Sequence, residues 1–165
     1  MLGLFFFTPD LRLLAIFLMG TCLGFLRVNC PKASIFMGDV GSYYLGCLLF
    51  GLILMTVTHH PYLLFSCLSV TLLFTFDATY TLIKRVVTRQ PFWKAHRSHW
   101  YQRLYNMGCS HKAIFWIGVA INSVLLSVTL LSFYFNQTVI GFMLSLMILV
   151  IIAFFIRYRE YAVKL

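Results

Sequence analysis

The sequence predicts an all-α protein, a multi-pass bundle of about five transmembrane helices, and three observations carry that prediction. Of its 165 residues, 61% are hydrophobic and 10% charged, with a mean hydropathy of +0.90; a soluble domain carries about 25% charged residues. The apolar stretches are long enough to cross the ~30 Å hydrocarbon core of a bilayer. The basic residues are confined to alternate loops, as the positive-inside rule requires.

The spans read as Leu11–Leu26, Tyr43–Thr58, Leu63–Ile83, Ala113–Phe135 and Val139–Ile156. The second is short, about 24 Å at ~1.5 Å per residue, and nearly crosses the core. Tight connections are expected at HHPY, residues 59–62, and at NQT, residues 136–138. Of the 13 Lys and Arg residues, all but Arg12 fall on one side of this arrangement. That side is therefore cytoplasmic, with the N-terminus outside and the C-terminus inside. The whole chain, 1–165, reads as one membrane domain whose cytoplasmic loops, 27–42 and 84–112, hold the polar motifs. The net charge of +9 follows from this topology and implies no nucleic-acid partner.

Other features fit a membrane protein. Gly20 and Gly24 in GTCLG suit close helix packing. The five cysteines include no CxxC pair and read as small apolar residues. MLGLFFFTPD lacks the basic start and cleavage site of a signal peptide and reads as the tail of a preceding membrane segment. Trp93, Trp100, Tyr101 and Tyr105 are candidate interface anchors. Asn122 is expected to bond a neighbouring helix, the Asn136 sequon to face outside, and Glu160 to pair with Lys164 at i,i+4.

Only four acidic residues are present, Asp10, Asp39, Asp77 and Glu160. Asp39 lies in SIFMGDVGSYYLG between Gly38 and Gly41, with Ser42 beside it and an apolar helix following. Helix N-termini attract phosphate through free N–H groups, and a carboxylate there would repel it unless a cation lies between. Mg²⁺ suits that place, because it takes one or two carboxylates and completes its shell with phosphate oxygens and water. The competing reading makes Asp39 a helix cap.

A second cluster is KAHRSHWYQRL, residues 94–104. If helical, His96, His99 and Arg103 share a face, with Arg97 adjacent, and such donors suit a pyrophosphate. A zinc site from His96, His99, Cys109 and His111 is a competitor with no familiar spacing, and a basic headgroup-binding loop is another. Asp77, inside the third span, is a functional candidate by position, with Lys84 or another interfacial cation as its structural partner.

IFMGDVGSYYLG followed about fifty residues later by AHRSHWYQRL resembles the bacterial polyprenyl-phosphate N-acetylhexosamine-1-phosphate transferases. These are glycosyltransferase family 4 relatives of the phospho-N-acetylmuramoyl-pentapeptide and undecaprenyl-phosphate N-acetylglucosamine transferases. The form HRSHWYQRL is similar to the O-antigen and capsule branch. The resemblance implies a bacterial inner-membrane phosphotransferase. It would move a sugar 1-phosphate from a UDP-N-acetylhexosamine to polyprenyl (undecaprenyl) phosphate, release UMP and use Mg²⁺. It implies that Asp39 is the metal-associated aspartate, that Gly38, Gly41 and Ser42 shape its loop, and that His96 and His99 serve nucleotide-sugar binding and activity. Arg97 and Arg103 are implied diphosphate partners.

The family's earlier aspartate pair and Asn/Asp-rich motif have no counterpart here. The chain is therefore expected to correspond to the C-terminal half of the family fold, with the N-terminal half supplied by another chain. A non-catalytic remnant or membrane-binding subunit is the alternative. A transporter is disfavoured, since no inverted repeat occurs.

Overall fold

The computed structural model describes residues 11–30, 34, 35, 37–91, 93 and 98–164, the side chains of 163 and 164 excepted. Helices α1 (Arg12–Asn29), α2 (Gly38–His59), α3 (Leu64–Val87), α4 (Trp100–Asn106), α5 (His111–Tyr134) and α6 (Thr138–Lys164) follow in order, with a 3₁₀ turn at Pro61–Leu63 before α3. Among the described residues there is no strand, and five helices are long and apolar enough to cross a membrane. The expected spans and both tight connections are all present.

One boundary differs in a way that matters. The second span begins at Gly38 rather than Tyr43, because its glycines enter the helix instead of delaying it. Its 22 residues then reach about 33 Å at ~1.5 Å each, enough for a full crossing. Asp39 thus lies inside the first turn, with Ser42 just after it.

Helices α3, α5 and α6 form the centre of the bundle. One buried cluster joins Leu72, Trp100, Leu125, Leu149, Ala153 and Ile156; another joins Leu18, Leu52, Leu63 and Cys67. Lipid removes most of the hydrophobic drive between spans, so close packing at small residues carries the association. Ser66, Ser69 and Thr81 of α3, Thr129 of α5 and Ser145 of α6 are fully buried. Thr129 and Ser69 bond the carbonyls of Leu125 and Phe65 at 2.7 and 2.8 Å, which satisfies the hydroxyl within its own helix.

The expected glycine contact is not on α1. A Cβ on Gly20 or Gly24 would meet nothing within 4 Å, whereas one on Gly141 of α6 would lie 2.1 Å from Ser132 Oγ and 2.3 Å from its Cβ. Close approach is needed where α6 leaves its turn against α5. Asn122 likewise bonds its own helix, donating to Gly118 O at 2.9 Å.

Three helices end in the same way. After α3, α4 and α5 the first residue beyond the cap is left-handed: Arg89 (φ 54°), Gly108 (φ 90°) and Asn136 (φ 55°). Each end carries the paired bonds of a Schellman motif, Gln90 N–H to Arg85 O at 2.9 Å, Cys109 N–H to Leu104 O at 3.1 Å and Gln137 N–H to Ser132 O at 2.7 Å. Glycine is the usual residue there, and asparagine is tolerated. Arg89 is neither, and Arg85 compensates by folding its guanidinium back onto Gln90 Oε1 and the Pro91 carbonyl.

Candidate functional site

Asp39 is exposed on the first turn of α2. Gly38 before it has φ +67°, a conformation glycine adopts without steric cost. Gly41 is held to hydrogen by Met37, whose Cγ would lie 2.6 Å from an added Cβ. Ser42 donates its hydroxyl to Asp39 O at 3.0 Å. The cap position is Met37, without a side-chain cap bond, so Asp39 is two positions too far into the helix to be the cap. Among the described residues, nothing pairs with its carboxylate.

The other two described acids are engaged. Asp77 of α3 takes His99 Nδ1 at 3.1 Å on one oxygen and the Trp100 N–H at 3.0 Å on the other. Its partner is thus His99, and the expected pairing with Lys84 does not form. Glu160 of α6 accepts from Arg103 Nε and Nη2, both at 2.7 Å. Glu160 thus has Arg103 as a partner; the expected Glu160–Lys164 contact falls on a side chain outside the described residues. Arg103 is only 4% exposed, so its fork is turned inward to α6. The Glu160 hydrogen bond, with its charge, raises the Arg103 guanidinium further above its ordinary range, against an opposing effect of burial.

His99 is the cap residue of α4, in extended conformation, and the helix begins only at Trp100. A continuous helix through His96, His99 and Arg103 is therefore not formed; His99 turns to α3 and Arg103 to α6. The His99 N–H donates to Gln102 Oε1 at 3.2 Å, and its ring stacks with Tyr101 at 6.3 Å between centroids. His96 and Arg97 lie outside the described residues. Trp100, expected as an interface anchor, is buried instead, edge-on to Phe76 at 5.5 Å and Tyr80 at 6.4 Å. Trp93, Tyr101 and Tyr105 are exposed. Among the described residues no three His, Cys, Asp or Glu side chains gather to hold a metal, and His111 stacks on Tyr105 at 4.7 Å.

Sequence reasoning singled out Asp77 but not its partner. The signal was only that an intramembrane carboxylate requires one; a contact 22 residues away across a loop has no local signature.

Residues 1–57 match the family described as glycosyl transferase family 4. A probable undecaprenyl-phosphate N-acetylglucosaminyl 1-phosphate transferase of Bacillus subtilis is 34% identical over 101 residues, 60% of this chain and 28% of that protein. Phospho-N-acetylmuramoyl-pentapeptide-transferases of Thermosynechococcus vestitus and Streptomyces coelicolor are 50% and 58% identical over 52 and 43 residues. These stretches are 32% and 26% of this chain, and 13% and 12% of those proteins. The matches thus span less than a third of the relatives' length. No solved structure matches the chain. Residues 1–57, which include Gly38, Asp39, Gly41 and Ser42, are similar to glycosyl transferase family 4, and the relatives that the chain resembles are named as transferases.

Proposed function

We propose that this chain supplies part of the site for sugar-1-phosphate transfer from a UDP-N-acetylhexosamine to polyprenyl phosphate, with release of UMP. The setting is the bacterial inner membrane and envelope polysaccharide synthesis of the O-antigen kind. The observation that carries the reading is Asp39. Of the three described acids it alone has no partner, and it stands exposed at the start of a membrane span within the family-matched segment. Five crossings in this order put the α2 start and the 88–110 loop on one side of the membrane. His99 and the basic loop then face the same compartment as Asp39, which the positive-inside rule makes the cytoplasm.

The residues fit Mg²⁺ as a shared ligand rather than a caged one. Asp39 offers one carboxylate, and the remaining positions suit diphosphate oxygens and water. When bound, the ion would neutralise charge on the diphosphate. The chain's own residues do the rest. Free N–H groups in the first turn of α2 favour phosphate, His99 contacts the nucleotide sugar, and Arg97 and His96 add donors from the loop. A single carboxylate holds Mg²⁺ weakly, which is why a further acidic group from outside these residues belongs in the complete site.

The test uses the chain co-expressed with the preceding half of a relative, assayed with UDP-N-acetylglucosamine and polyprenyl phosphate across Mg²⁺ concentrations. Asp39→Asn keeps size and capping ability but removes the charge. A loss of about 100-fold in rate, or ~2.7 kcal/mol, with normal membrane insertion is expected. Near-normal turnover with an unchanged Mg²⁺ response would return Asp39 to a structural role.

A further inference from the structure

One carboxylate serves two consecutive residues of a different segment. Asp77 Oδ2 meets the His99 ring at Nδ1, and Oδ1 meets the Trp100 main-chain N–H. An ionised carboxylate only accepts, so Nδ1 must carry the hydrogen. That fixes the neutral ring in the Nδ1–H tautomer and makes Nε2 its accepting atom. Histidine is a poor cap residue compared with Ser, Thr, Asp or Asn. Here His99 and Gln102 form a capping box, and Asp77 adds an acceptor for the first N–H of α4 from across the bundle. Ring direction, tautomer and helix start are thus set by one side chain of α3. The Asp77 side chain is 18% exposed and the His99 side chain 31%, so the carboxylate is shielded while the ring is still reachable.

We propose that Asp77 is a positioning residue that fixes His99 through Nδ1, so that Nε2 is presented as an acceptor to a nucleotide sugar. The functional half rests on the reading of His99 given above; the positioning half does not. Carboxylates behind a working histidine act in this way in other chemistries, holding the tautomer and the ring plane without touching the substrate. Asparagine cannot replace Asp77, because its one oxygen serves only one of the two donors.

The test has two readings on the full-length chain in nanodiscs. The first is ¹⁵N NMR of histidine-labelled protein at alkaline pH, with His99 assigned through His99→Gln. The expected signal for His99 is the Nδ1–H tautomer, which shifts to Nε2–H or to a mixture in Asp77→Asn and is retained in Asp77→Glu. An Nε2–H tautomer in the unmodified chain overturns the proposal without any variant, so a folding failure of Asp77→Asn does not rescue it. The second reading is titration with UDP-N-acetylglucosamine of the same chain co-expressed with the preceding half of a relative. Binding should weaken about tenfold in Asp77→Asn and as much in His99→Gln, with no further loss in the double variant. Unchanged affinity in Asp77→Asn beside a weakened His99→Gln overturns positioning and leaves the site standing. Unchanged affinity in His99→Gln, or none in the unmodified chain, removes His99 from the site and overturns the functional half, whatever the tautomer.

Discussion

Replacing Glu160 by alanine would leave a buried guanidinium without its counter-charge. The Arg103 side chain is 5% exposed, and the Glu160 side chain 27%. Both Arg103–Glu160 bonds are 2.7 Å, and Arg103 Nη1 is already without a hydrogen-bond partner among the described residues. Removing one member of a buried pair costs about 3–5 kcal/mol. Water can reach the Glu160 side, so the lower end applies, ~3 kcal/mol, or more than a hundredfold in a local opening equilibrium at 1.4 kcal/mol per decade. The pair ties α4 to α6, and α4 has only seven residues, so the loss should be local. Hydrogen exchange in nanodiscs should show protection in residues 100–106 falling about a hundredfold, with α5 and α6 nearly unchanged. Replacing both partners by apolar residues, Arg103→Met with Glu160→Leu, should cost less than Glu160→Ala alone, because no charge is stranded. Unchanged protection in Glu160→Ala, or an equal loss through every helix, would refute the assignment of this pair as the anchor of α4.

Two further outcomes are expected. Gly141→Ala should destabilise by about 1–3 kcal/mol through overpacking against Ser132, while Gly24→Ala should be near neutral or slightly favourable; SDS-titrated unfolding in mixed micelles compares them directly. In a cysteine-free background, Trp93→Cys should be labelled by an impermeant maleimide only after the cytoplasmic face is opened, and labelling of intact cells would reverse the proposed orientation.

The spans were legible because each is a long apolar run whose ends carry turn residues or charge. The start of α2 lies five residues before the expected Tyr43, because the apolar run alone marks the span in the sequence and a helix in a membrane tolerates Gly38 and Gly41. Asp39 was legible from its own motif, since everything that defines it lies within four residues. Asp77, Arg103 and Glu160 were each visible as polar groups, yet their partners were not. Sequence offers neighbours along one helix, so it pairs Glu160 with Lys164 and suggests Lys84 or another interfacial cation for Asp77, whereas the contacts of Glu160 with Arg103 and of Asp77 with His99 span 57 and 22 residues. Trp100 misled for a related reason: a tryptophan beside basic residues reads as an interface anchor until the helix that buries it is known. The same limit applies to Gly141, whose constraint comes from Ser132 across a turn and leaves no GxxxG trace.

The 57-residue separation between Arg103 and Glu160 also orders events during synthesis. A seven-residue helix does not persist by itself in water, and its capping carboxylate on α3 is made before it. Its second tether is on the last span. The segment carrying His99 therefore gains its Glu160 tether only once α6 has been made. A chain cut short before Glu160 would contain every residue of both polar motifs and still lack the docked α4 that holds His99 in place.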